Sequence, residues 1–368
     1  MNASLLFLGT GTKEGTPNLG HTIKNIEYEH LNKGEYCSVC SKCIETLIRA
    51  NKTSVEYNKN IRNSYSALLS IKSNKNSEVT ILFEISVEVR KSIIQCASKF
   101  LKKVDIILTM HSTEESIGGI DEVREIQNFE HFIDENGNVS YYPKKPIPLY
   151  LSTSAFINLS NWYNYMILYS LKIKPPFKTK VGTMNISVFD PHNPGVTTTF
   201  KSINEANKYV EIHRYTNFED NLDFSPVPFK YDSINITALY FKGNNNELNM
   251  GYVIQDEISK NPILCILPNF SIIPQKTLQY LINLPCIQIL VVPLLQSHIK
   301  SEGTYNIPEL IKFCLKISCR NVYLTSITCG IDHTLLSDYI RDQVLSLSKY
   351  NVNIPQFHVA YDSLFLKV

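Results

Sequence analysis

The 368-residue chain has no uninterrupted apolar stretch approaching ~18 residues, so no membrane-spanning helix is expected. It has almost no charge excess. Lys and Arg number 36 and Asp and Glu 34, a net +2, which leaves no electrostatic reason to expect nucleic acid or an anionic membrane as partner. A secretory leader is not expected either. The opening Met1–Leu8 run is apolar but has no basic region or small-residue cleavage site, and it ends at Gly9-Thr10-Gly11, so it reads as a first strand. No short-period repeat is visible, which excludes a solenoid. The cysteines number nine, an odd count, and without a leader they point to a reducing compartment, here the cytoplasm. Thiols or metal ligands then come before disulfides.

Hydrophobic residues at 43% and charged residues at 19% supply ample material for a globular core. Short apolar strands alternate with helical stretches. Leu5–Leu8, Ser66–Ile71, Val79–Phe83, Asp105–Thr109 and Leu149–Leu151 read as strands. Val87–Phe100, Ser116–Ile126 and a segment from about Ser154 read as helices. A second half repeats the style. Its strands are expected at 235–240, 251–254, 263–267, 289–292 and 322–325, with two more near 357–360 and 364–367. Its helices are expected at 274–284, 308–317 and 332–347. Residues 172–233, rich in Pro, Asn, Asp and aromatics, read as an insertion or a sheet extension within one domain spanning 1–368. The alternation favours an α/β fold with sheets covered by helices. The clusters at 143–146 and 172–180 read as solvated basic loops.

The run Leu8-Gly9-Thr10-Gly11-Thr12-Lys13-Glu14-Gly15-Thr16-Pro17 resembles the first motif of metallo-β-lactamase-superfamily hydrolases. Five further segments fall in the order expected of its phosphodiesterase branch, the group related to the phosphonate-breakdown cyclic phosphate hydrolase. They are Cys37-Ser38-Val39-Cys40, Asn63-Ser64-Tyr65-Ser66, Glu84–Arg90, Val104–Arg124 and the pairs Asp332-His333 and Tyr361-Asp362. The resemblance covers nearly the whole chain, least well over 172–233. It implies a four-layer αββα sandwich of two similar halves, with the metal site at the edge between the sheets.

It also implies a dinuclear centre. Two divalent ions about 3.5–4 Å apart activate a hydroxide and stabilise phosphoryl oxygens. Here most of the implied ligand positions are changed. His111 keeps the first His of the His-x-His-x-Asp-His loop, but Thr113, Glu115 and Ser116 stand at the other three positions. Lys242 stands at the downstream His, Asn269 at the bridging Asp, and Thr304 and Ser326 at two further His positions. The changes are coherent in charge. Losing +4 of metal would leave carboxylates repelling one another; Asn269 removes one of them, and Lys242 adds a cation with which Glu115 is expected to pair. His298 lies on a loop near the expected site, and His192 has no defined counterpart.

A second, structural zinc is implied by the same resemblance. Its positions hold His21, Cys37, Cys40 and Cys329. One Cys has become His and the partner His has become Cys, so three thiolates and one imidazole remain, a good tetrahedral zinc set. Cys43 is an alternative ligand, and free thiols or a redox pair are alternatives to any metal. The other cysteines, Cys96, Cys265, Cys286, Cys314 and Cys319, read as core.

Three functions stay open at this point. The first is a catalytically inactive binding or scaffold protein, a pseudoenzyme with one structural zinc. The second is a phosphodiesterase-like metal-dependent hydrolase with a mononuclear site on His111, Glu115 and His298. The third is metal-free binding of an anionic small molecule in the cleft by Lys242 and the Gly9-Thr10-Gly11 loop.

Overall fold

The computed structural model describes residues 2–21, 37–50, 58–72, 78–97, 101–193, 197–214, 224–243, 247–257, 260–294, 307–348 and 354–368. Its first sheet takes β1 (Asn2–Gly9), β2 (Ser66–Lys72), β3 (Glu78–Phe83) and β4 (Ile106–Leu108). An exposed hairpin of β5 (Phe129–Ile133) and β6 (Val139–Pro143) stands apart. The first sheet then resumes with β7 (Ile147–Ser152), β8 (Met184–Phe189) and β9 (Thr197–Thr199). The second sheet is β10 (Val227–Tyr231), β11 (Ile234–Lys242), β12 (Leu248–Asp256), β13 (Pro262–Ile266), β14 (Ile287–Pro293), β15 (Cys319–Thr325) and β16 (Gln356–Val359). The closing strand β17 (Phe365–Lys367) returns to the first sheet beside β1.

The two sheets share a plan. In the order β17-β1-β2-β3 the pairs are antiparallel, and β3-β4-β7-β8 are parallel. In the order β10-β11-β12-β13 the pairs are antiparallel, and β13-β14-β15-β16 are parallel. Strand β3 therefore corresponds to β13, and β4 to β14.

Side-chain alternation makes the layers. On β1, Leu5 and Phe7 point into a core shared with Ile236, Ala238, Tyr240, Met250, Tyr252 and Val291 of the second sheet. Leu6 and Leu8 point the other way, into a core with Ile117, Ile120, Phe156 and Leu159 of the covering helices. On β11, Leu239 and Phe241 face outward onto Leu281, Leu310, Phe313 and Leu336. Both faces of both sheets are buried, which is why these strands read as continuous apolar runs. The result is an αββα sandwich.

Residues 172–233 extend both sheets, supplying β8 and β9 to one and β10 to the other. They also hold a helix, Ile203–His213, absent from the sequence reading. Ser202 caps it by accepting from the Glu205 N–H, and Glu205 reaches back to the Lys201 N–H. The helix expected at 116–126 is instead three short pieces, broken at Gly118-Gly119. The one expected at 87–100 is Val89–Ser92 followed by a wider π turn through Ala97. Among the described residues no helix is long and apolar enough to cross a membrane.

Candidate functional site

The carboxyl ends of the parallel strands gather along one edge of the sandwich, where ligands of α/β sheets lie. Glu84 follows β3, His111 lies just beyond β4, and Asn269 lies just beyond β13. His111 joins these ends. Its Nε2 accepts the Asn269 backbone N–H at 2.7 Å. Nε2 therefore carries no proton, and Nδ1 holds it and donates to Glu84 Oε1 at 2.6 Å. The same carboxylate oxygen accepts the His111 backbone N–H at 3.0 Å. Glu84 is buried, and burial raises its pKa while the His111 bonds pull it down. Both ring nitrogens of His111 are thus used inside the protein.

The neighbouring strand ends are stitched just as tightly. Met250 N–H donates to Met110 O at 2.8 Å, and the Tyr252 hydroxyl donates to Thr109 O at 2.8 Å. Asn249 Nδ2 donates to Asn269 O at 2.8 Å. Glu84 and Ser326 both sit in the left-handed backbone region, φ 58° and 55°, which side chains other than glycine adopt at a cost.

The other positions lie as follows. Thr113 precedes the short helix Glu114–Ile117, and its hydroxyl is 3.3 Å from that of Ser116. Glu115 is half-buried, and its carbonyl accepts the Val87 N–H. The expected Glu115–Lys242 pair is not made. Lys242 ends β11 on the face that looks between the sheets, and its ammonium lies 5.6 Å from the Phe224 ring centroid. It borders a cavity of about 300 Å³ lined also by Ile272, Ile273, Pro274, Gln275 and Lys276. Thr304 and His298 lie outside the described residues. His111 and Asn269 meet; Thr113 and Ser116 meet each other. Thr113, Ser116, Lys242 and Asn269 offer no imidazole or carboxylate, and the free lone pair of His111 is taken. Among the described residues at the implied positions, His111 and Glu115 alone carry an imidazole or a carboxylate.

A different group comes together at the opening loop. One ligand atom each from His21, Cys37, Cys40 and Cys329 lie within 4.8 Å of one another. His21 Nδ1 is 3.2 Å from Cys329 Sγ and 3.7 Å from Cys40 Sγ. A tetrahedral ion with Zn–S near 2.3 Å and Zn–N near 2.0–2.1 Å sets such N···S pairs about 3.6 Å apart. The donor set and its spacing fit zinc. Burial, with neighbouring sulfurs, raises the Cys40 and Cys329 thiols. Cys43 stands apart from the four. It is buried, takes an N–H from Asn58 at 3.8 Å, and is pushed up to about 11 by burial. Of the cysteines read as core, Cys265 and Cys314 are buried, Cys96 and Cys319 are half-buried, and Cys286 is exposed at the turn before β14.

Around this cluster the N- and C-terminal halves interlock. Arg62, fully buried, donates to Thr328 O and Ile331 O. Asn60 donates to Asp332 and accepts the His333 N–H. Asp362 accepts from the Thr10 hydroxyl and the Asn63 N–H, both at 2.7 Å. The Asp332-His333 and Tyr361-Asp362 pairs are therefore the clasps that close the C-terminal half onto the opening loop.

Solved structures match this architecture over its full length. A diphosphatase of the PhnP family superposes with TM-score 0.59 at 16% identity, covering 99% of this chain and 97% of its own. Zn2+-bound PqqB from Methylobacterium extorquens gives 0.55 at 12% identity, with 99% of each chain covered. The metallo-β-lactamase fold protein YhfI from Bacillus subtilis gives 0.53 at 9% identity over the whole of both chains. The chain has the metallo-β-lactamase fold. No family model and no curated protein matches the sequence. At these identities the likeness settles the fold and leaves the chemistry to the residues.

Sequence reasoning missed one further group, Asp190, His192 and His213, whose ligand atoms also lie within 4.8 Å of one another. Its only signal was an Asp-x-His followed by a His at the end of a helix that the sequence reading had not found.

Proposed function

We propose that this metallo-β-lactamase-fold chain does not run the dinuclear hydrolysis of the family it resembles and acts as a binding or scaffold protein. The observation that carries this is His111. Its Nε2 lone pair is occupied by the Asn269 N–H and its Nδ1 proton by Glu84, so the first ligand of the implied centre serves to join the two sheets. In the same reading, His21, Cys37, Cys40 and Cys329 hold one structural zinc that ties the opening loop to the C-terminal half. The swap between His21 and Cys329 supports it, since the set keeps its chemistry while the ligands change places.

The test is hydrolysis of bis(4-nitrophenyl) phosphate by full-length protein supplied with Zn2+ or Mn2+, alongside the His111→Ala variant. No turnover above buffer in either is expected. Metal-dependent turnover in the parent that disappears in the variant would overturn the reading in favour of a mononuclear hydrolase.

A further inference from the structure

Asp190 is the first residue after β8, His192 follows two residues later, and His213 is the last residue of the helix Ile203–His213. Asp190 is buried, His213 half-buried and His192 exposed. The first sheet runs β4-β7-β8, so this group sits on the same strand-end edge as His111, two strands and about 10 Å along.

The spacing suits an ion between the side chains. Asp190 Oδ2 and His213 Nε2 are 3.6 Å apart, beyond the 2.7–2.9 Å of a charge-assisted hydrogen bond. Two donors each 2.0–2.2 Å from one metal lie roughly 2.8–3.6 Å apart at bond angles of 90–109°, and the Asp190–His213 separation stands at the upper end of that range. The other Asp190 oxygen accepts the His192 N–H at 2.9 Å, which folds the loop back so that its imidazole ring centroid comes within 5.3 Å of that of His213.

The surroundings hold these donors in place. The Tyr209 ring lies 4.2 Å from that of His213, and the Tyr209 hydroxyl pairs with Thr153 at 2.9 Å. Thr153 in turn donates to Phe189 O at the end of β8. The His213 ring is thereby packed, and the end of β8 that carries Asp190 is held by Thr153. His213 Nδ1 is buried with no hydrogen-bond partner, so this ring, unlike His111, is not committed on both sides.

We propose that Asp190, His192 and His213 bind one divalent transition-metal ion, of which Zn2+ best suits two imidazoles and one carboxylate. Three protein ligands leave a coordination position open, to be filled by water or an oxyanion. The site is independent of the Cys/His cluster and of whether the chain is silent toward phosphodiesters.

The test is calorimetric titration of chelator-stripped, full-length protein with Zn2+, and with Co2+ followed by absorption. The parent is expected to take up two equivalents. One gives the thiolate-to-cobalt band in the near ultraviolet and is lost in Cys37→Ser/Cys329→Ser. The other shows only ligand-field bands and is weakened more than about 100-fold in His192→Ala, beyond the 10–100-fold that losing an outer-shell partner costs. His192 is exposed, so this variant leaves the core intact, and an unchanged melting temperature of the stripped protein checks that. Asp190→Asn provides a second ligand change with the same expectation. Metal uptake and spectra identical in the parent and His192→Ala would overturn the proposal.

Discussion

The Nε2 of His111 takes the backbone N–H of Asn269 at 2.7 Å, joining the end of β4 to the end of β13. With Nδ1 on Glu84, the ring links three strand ends from two sheets. A bare imidazole does here, without charge, what a metal ion coordinated from both halves would do: it holds the two sheets at a fixed spacing along the cleft. Asn269 matters here through its backbone, whose N–H goes to His111 and whose carbonyl accepts Asn249 Nδ2.

His111→Ala is accordingly a stability variant. It leaves the Asn269 N–H unpaired and the buried Glu84 carboxylate with only the backbone N–H of residue 111, which costs about 2–4 kcal/mol. Urea unfolding should show this loss at the same size with and without chelator. A loss that vanishes when chelator is added to both proteins would instead mark His111 as a metal ligand.

The Cys/His cluster yields a prediction about ligand exchange. Cys329→Ala should release zinc and lower the melting temperature. The double variant His21→Cys/Cys329→His returns the ligands to the arrangement implied by the resemblance and should retain one zinc at the cluster, because three thiolates and one imidazole still converge. Elemental analysis of both variants decides it. Zinc absent from the double variant would mean that the swap is not compensated.

Asp362 and His333 give stability opposite dependences on pH. Burial pushes Asp362 up to about 7 from 3.8, against the bonds from Asn63 and Thr10 and the nearby Arg62. Between those values the native chain keeps a proton that the unfolded chain has lost, so this residue makes the fold less stable as pH rises. Burial, with Lys59 and Arg62 nearby, depresses His333 from 6.5 to about 4. There the unfolded chain holds the extra proton, and stability rises with pH. The two contributions oppose between pH 4 and 6.5. Asp362→Asn keeps the acceptor for Asn63 and removes the falling one. Its unfolding free energy should climb by on the order of 3 kcal/mol from pH 4 to 6.5, where the parent stays nearly level. A variant profile parallel to that of the parent would be inconsistent with this assignment.

Much of this was legible in the sequence because buried strands and glycine turns leave local marks. The succession of strands along the chain followed from short apolar runs, while the edge carrying His111 and the set His21, Cys37, Cys40 and Cys329 were implied by the family resemblance. What was not legible depends on side-chain direction across the sandwich. Lys242 carries the right charge for Glu115, but strand alternation sends it between the sheets toward Phe224. No residue of the hairpin β5-β6 is buried, so it lacks the apolar alternation that reveals a strand. Asp190 and His213 come together only once β8 and the following helix are placed side by side, and the sequence reading had placed neither.

Gly119 shows how closely the cleft wall is built. A Cβ there would stand 2.2 Å from Ser86 O and 2.9 Å from Ile85 O, both backbone atoms that cannot rotate away. The Gly119 N–H already donates to Ile85 O at 2.9 Å, so the two segments are held together by that bond. Gly119→Ala must push apart the turn after β3 and the short helices that follow His111. Overpacking against fixed backbone costs about 1–3 kcal/mol, and here the lost hydrogen bond places the expectation at the upper end. Gly137, at φ 81° with open space around it, is the control. Ala there should cost only about 1 kcal/mol, from the backbone conformation alone. Equal losses for the two variants in urea unfolding would show that the contact between Gly119 and the Ile85-Ser86 turn carries no stability of its own.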